Sequence, residues 1–123
     1  SEIDQLWPGM ISEMYHPPDQ LRLPHGESFR DCQVRTMAFM KELLSRGDHK
    51  SYAIVSHGAA LSTIICAMID IPLSRSWNMG LSNASITEIR HFVGENNMKD
   101  MNMLFSLNQI AHLADTATSH LPK

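Results

Sequence analysis

The run "YAIVSHGAALSTIICAMI", residues 52–69, is an almost uninterrupted apolar stretch broken once by Ser56, His57 and Gly58. An imidazole at that point can carry a charge or donate a proton near neutral pH, because its ordinary pKa is about 6.5. The residues after it add a second capability. If a helix opens here, the free N–H groups of Gly58, Ala59 and Ala60 carry the positive end of its dipole, so an anion meets hydrogen-bond donors without further side chains. Gly58 lets a ligand approach the backbone. Phosphate is the natural candidate. The bland alternative is a buried histidine that bonds a backbone group. A serine hydrolase is excluded, since the G-x-S-x-G elbow is missing and adjacent residues on a strand face opposite ways.

The elements that must position His57 follow from the pattern around it. Tyr52 to Ser56 reads as a continuous buried strand of about 17 Å, and Ala59 to Ile69 as a buried helix of about 16 Å, apolar nearly all round. A strand turning directly into a helix of matching length marks a parallel sheet covered on both faces, so the fold class is α/β. Ligands of open α/β sheets gather at the carboxyl ends of the strands, where His57 stands. Upstream, Ser28 with Asp31 resembles a capping box, and helical spacing from Phe29 to Leu43 ends at Arg46-Gly47, which predicts a helix over 29–46. Residues 1–27 hold four of the six prolines and read mostly as loop, with one helical turn near 10–15. Downstream, strands over 84–92 and 101–107 flank a turn at 94–97. Residues 109–113 read as a last helical turn, and the tail from Asp115 is expected to fray.

Composition narrows the partners. A chain of 123 residues with 43% hydrophobic content suits one soluble domain with a modest core. A formal net charge of -3, with no Lys/Arg cluster, gives no footprint for nucleic acid or a membrane surface. Cys32 and Cys66 form neither a CxxC pair nor a disulfide framework, so they read as buried free thiols in a reducing cytosol, and a cytoplasmic location is expected. The apolar run closes at Pro72, too short for a membrane span. His16, His49, His91, His112 and His120 show no metal-ligand spacing, and His112 reads as packing the chain end.

Several stretches together resemble one family. "VSHGAALSTIICAMIDIPL" is similar to the second signature of the histidine phosphatase superfamily, the phosphoglycerate-mutase-like group. "LPHGESFRDCQVRTMAFMKELL" resembles the segment that precedes it, "LSNASITEI" the strand that follows, and "LNQIAHL" the closing motif. "SEIDQLWPGM" resembles the family's Glu-Ile-Asp stretch. The resemblance covers residues 1–113 in order. It implies a three-layer α/β/α sandwich with a mostly parallel sheet, and a reaction in which one histidine attacks a phosphoryl group to form a phosphohistidine, discharged by water or another acceptor. It implies no cofactor and no metal.

Carried over by motif, His57 is the second histidine, which steadies the transferring phosphoryl group, and Glu2 is the acid for the leaving alcohol. Gly58 and Ala59 offer backbone amides. Asn83 and Glu27 fall near the pocket, with a turn-forming Asn and helix-start electrostatics as their plainer readings. The family's first signature, Arg-His-Gly, is absent from the chain, and with it the nucleophile. His25-Gly26 does not replace it, because it follows Leu23-Pro24 and coincides with the family's Gly-Gly-Glu-Ser stretch. Residues 1–123 are therefore expected to be the C-terminal portion of a single histidine phosphatase domain, incomplete at the N-terminus and inactive without the missing segment. That segment, or a swapped partner chain, is expected to cover the apolar edge at Tyr52 to Val55. The substrate expected is a small phosphorylated molecule. The alternative is a non-catalytic phosphate-binding or regulatory pseudoenzyme module.

Overall fold

The computed structural model describes residues 2–114. The chain divides into two compact units, Ser1–Met79 and Gly80–Lys123. The first opens with two short helices, α1 (Glu2–Leu6) and α2 (Met10–Glu13), then a 3-10 turn at Pro18–Gln20. Its body is a pair of helices, α3 (Phe29–Ser45) and α4 (Gly58–Met68), followed by a 3-10 segment at Leu73–Asn78. Pro8-Gly9 separates α1 from α2, with Gly9 at φ 85°, a conformation that glycine adopts without strain.

α3 begins where the capping pattern places it. The Asp31 N–H donates to Ser28 Oγ and the Ser28 N–H to Asp31 Oδ2, each at 3.0 Å, so both partners of the box are satisfied. It ends before Gly47, whose φ of 59° breaks the helical path. α4 is buried on most of its circumference, through Ser62, Thr63, Ile64, Ile65, Cys66 and Met68, while α3 contributes Met40 and Leu43. Each aliphatic side chain so buried stabilises the fold by about 1.5–3 kcal/mol. The hydroxyls are accommodated locally: Ser62 Oγ donates to the Ala59 carbonyl at 2.8 Å and Thr63 Oγ1 to Ala60 at 2.7 Å. Gln33 Nε2 crosses from α3 to the Thr63 carbonyl at 2.9 Å, joining the two helices. α4 ends in a Schellman-type turn, with the Ile71 N–H on the Cys66 carbonyl at 2.8 Å and Asp70 at φ 58° in the place usually given to glycine. Phe29 meets Trp77 with ring centroids 5.8 Å apart.

The segment read from sequence as a buried strand differs. Residues 51–57 belong to neither helix nor strand, and the whole stretch is exposed, Val55 at 94%. The cause is the absence of a neighbour: a strand exists through its ladder, and no described residue pairs with Tyr52 to Ser56. Tyr52 instead donates its hydroxyl to Asp48.

In the second unit β1 (Ile86–Phe92) pairs antiparallel with β2 (Met101–Gln109). Burial alternates along both strands, the period-two signature of a half-covered sheet. Asn96 and Asn97 both take positive φ, 52° and 67°, as the central residues of a type I′ turn must. Gly94 is required there by close approach, because a Cβ would fall 2.0 Å from the Met98 carbonyl oxygen. The α/β class is present, with a single antiparallel pair as its ladder among the described residues. A turn at 111–114 follows β2, near the helical turn expected at 109–113, while the tail from Asp115 lies outside the described residues. Among the described residues no helix is long and apolar enough to cross a membrane.

Candidate functional site

His57 occupies the N-cap of α4, with φ -99° and ψ 154°. Its ring makes no capping hydrogen bond and is exposed. The first bond of the helix runs from the Leu61 N–H to the His57 carbonyl at 2.9 Å, so the N–H groups of Gly58, Ala59 and Ala60 precede any intrahelical donor. The contrast with α3 is instructive. There Ser28 and Asp31 close the helix start on itself, whereas at α4 an imidazole stands beside open amides. Such an arrangement can accept an oxyanion from two directions, the backbone dipole and the ring nitrogen. The sequence places the site on this feature, and the structure brings His57, Gly58 and Ala59 together at one helix terminus.

The remaining sequence candidates are carried by other elements. Glu2 is exposed in the first turn of α1, and no hydrogen bond joins it to His57 among the described residues. Glu27 spends both carboxylate oxygens on Arg35, at 2.6 Å to Nη2 and 3.2 Å to Nε. The Arg35 guanidinium holds the Glu27 carboxyl below its usual range, with burial and Asp31 opposing. Glu27 is thus an ionised anchor for Arg35, a residue the sequence reading missed. Asn83 belongs to the second unit, where it is an exposed residue of the turn 82–85. His112, read as packing the chain end, places Nε2 2.8 Å from the Ala84 carbonyl. Its signal was not in the pattern, since the partner is 28 residues away.

A cavity of about 350 Å³ lies at the other end of α4, lined by Asp19, Arg30, Gln33, Cys66 and Asp70 among others. It does not include His57, and an 11-residue helix separates the two. The Cys66 thiol beside it is fully buried, which raises its pKa. Both cysteines are free thiols, with Cys32 only half-buried.

An α/β chain with an uncapped histidine at a helix start invites comparison with proteins that handle phosphate. The sequence matches the histidine phosphatase superfamily (branch 1) over residues 1–104, a span that includes parts of both units, and the chain belongs to that superfamily. Phosphoserine phosphatase 1 of Hydrogenobacter thermophilus is 30% identical over 128 residues, covering 93% of this chain and 57% of that protein. A protein named "Probable phosphoglycerate mutase GpmB" of Erwinia tasmaniensis is 26% identical over 102 residues, 83% of this chain and 47% of that one. Among solved structures, YhfR of Bacillus stearothermophilus superimposes with a TM-score of 0.77 at 25% identity, over 91% of this chain and 53% of its own. Mycobacterial glucosyl-3-phosphoglycerate phosphatase shares the fold at a TM-score of 0.62 and 22% identity, over 86% of this chain and 54% of that one. The chain spans about half the length of the curated relatives it matches.

Proposed function

We propose that this chain carries the phosphate-gripping part of a histidine-phosphatase domain that hydrolyses, or transfers, the phosphoryl group of a small phosphomonoester. The observation that carries the reading is the exposed His57 at an N-cap whose ring is not spent on capping, beside the open amides of Gly58 and Ala59. Phosphoryl transfer spreads negative charge over three oxygens, so a fixed set of donors lowers the barrier by position and charge. Superfamily membership and relatives named as a phosphatase and a mutase support this class of reaction.

In the proposed reaction a histidine of an Arg-His-Gly segment, which these 123 residues lack, attacks phosphorus. A P–N bond forms as the P–O bond to the leaving alcohol breaks. Glu2 gives its proton to that oxygen, and water or a second acceptor then takes the phosphoryl group. His57, Gly58 and Ala59 hold the oxygens throughout. The same reading completes the layered α/β/α sandwich and its parallel sheet: the N-terminal segment of the same domain, or a swapped partner chain, pairs with residues 52–56. Without it the chain is inactive. A cytoplasmic site, no cofactor, no nucleic acid and no membrane partner belong to this proposal.

The test is hydrolysis of p-nitrophenyl phosphate by the full-length protein. His57→Ala is expected to lower kcat by about 10²–10³-fold, as removal of one oxyanion donor does elsewhere. Unaltered hydrolysis in that variant would contradict the role. Phosphate binding with no hydrolysis and no acid-labile phosphohistidine would favour a non-catalytic module.

A further inference from the structure

The first turn of α4 is held from its carbonyl side. Ser62 and Thr63 place hydroxyls on an otherwise apolar buried face. Ser62 Oγ donates to the Ala59 carbonyl at 2.8 Å, and Thr63 Oγ1 to the Ala60 carbonyl at 2.7 Å. The Thr63 hydroxyl has one proton, and that contact takes it ahead of Cys32 Sγ, which stands 4.0 Å away. Such bonds to the third residue back are ordinary for a hydroxyl in a helix, and Ser45 makes one in α3. What sets this pair apart is the peptide groups it reaches. The Ala59 carbonyl and the Ala60 N–H belong to one planar peptide, so fixing the oxygen fixes the direction of the N–H. The Ala60 carbonyl shares its peptide with the Leu61 N–H, which donates to the His57 carbonyl at 2.9 Å, and that carbonyl shares its peptide with the Gly58 N–H. Hydrogen bonds joined head to tail in this way polarise one another. Gln33 Nε2, on the Thr63 carbonyl at 2.9 Å, ties the chain of bonds to α3. The start of α3 is secured by Ser28 and Asp31, which occupies an amide. α4 has no side-chain cap, so its start is secured through carbonyls and the amides stay open.

We propose that Ser62 and Thr63 are positioning residues for the phosphate site: Ser62 aims and polarises the Ala60 N–H, and Thr63, through Leu61 and His57, the Gly58 N–H. This rests on the reading of the α4 start as the phosphate grip. Hydroxyls with a structural role alone would alter unfolding and leave phosphate affinity as it is.

The test uses the full-length protein, with inorganic phosphate as the probe and backbone NMR as the readout. Thr63→Val keeps the shape and removes the hydroxyl, whereas Thr63→Ser keeps the hydroxyl; Ser62→Ala and Ser62→Thr form the matching pair. Thr63→Val and Ser62→Ala should each weaken phosphate binding about three- to fivefold, the range of one modest hydrogen bond. Thr63→Ser and Ser62→Thr should bind as the wild type does. At saturating phosphate the Gly58 amide should shift less in Thr63→Val and the Ala60 amide less in Ser62→Ala, which assigns each hydroxyl to its own peptide. If Thr63→Val does not fold, Ser62→Ala against Ser62→Thr carries the same decision. Wild-type affinity in the hydroxyl-free variants would overturn the proposal, and so would equal losses in the variants that keep the hydroxyl, because packing would then be the cause. Phosphate that binds the wild type and leaves Gly58 and Ala60 unmoved would overturn the α4 site itself, and the positioning role with it.

Discussion

Histidine is a weak N-cap, because its ring does not return to the helix amides as a Ser or Asp side chain does. Under the proposed reading its presence at the start of α4 serves a ligand, and the candidate position is legible in the sequence as a polar break in an apolar run. Other residue roles were hidden by distance. Glu27 lies eight residues from Arg35, outside the i+3 and i+4 spacing that helical pairs obey. His25 takes φ 57°, and its likeness to a glycine of the family stretch becomes physical only in that turn. The Glu27–Arg35 pair yields a prediction with a sign. Arg35 depresses the Glu27 carboxyl below its ordinary 4.5, so the pair's contribution is complete above that value and is lost as pH falls through the depressed one. In Arg35→Met the Glu27 carboxyl should titrate nearer 4.5 by NMR, with a smaller acid-dependent loss of stability. An unmoved titration would show that Arg35 is not the cause.

Elements with their own start signals were legible. α3 was expected over 29–46 and runs from Phe29 to Ser45, because Ser28 and Asp31 define its start and Gly47 its end. Ser28→Ala should cost about 1 kcal/mol in denaturant unfolding. A cost of only a few tenths would mean that the box does not hold the helix. α4, β1 and β2 also emerged near their expected bounds, since apolar runs and alternation mark them directly. The segment 52–56 did not become a strand, because its β-character depends on a neighbour that the sequence of the segment cannot supply. The 3-10 segments at 18–20 and 73–78 were missed for the opposite reason: they follow prolines and carry no periodicity of their own.

At the scale of the molecule, a solved structure about twice as long shares the fold of this chain. Residues 51–57 are exposed, Val55 among them, and under the proposed function this is the edge that a further strand covers. Under the proposed completion, amides of 53–56 exchange slowly in the full-length protein and fast in the isolated 123 residues. Slow exchange in an isolated monomer would remove the need for any partner. The central claim concerns His57 and the start of α4, and backbone NMR of the full-length protein during titration with orthovanadate tests it most directly. The Gly58 and Ala59 amides and the His57 ring should shift together and saturate, and His57→Ala should weaken that binding about tenfold or more, the equivalent of a charge-assisted hydrogen bond. Saturating vanadate that moves other residues and leaves Gly58, Ala59 and His57 in place would contradict it.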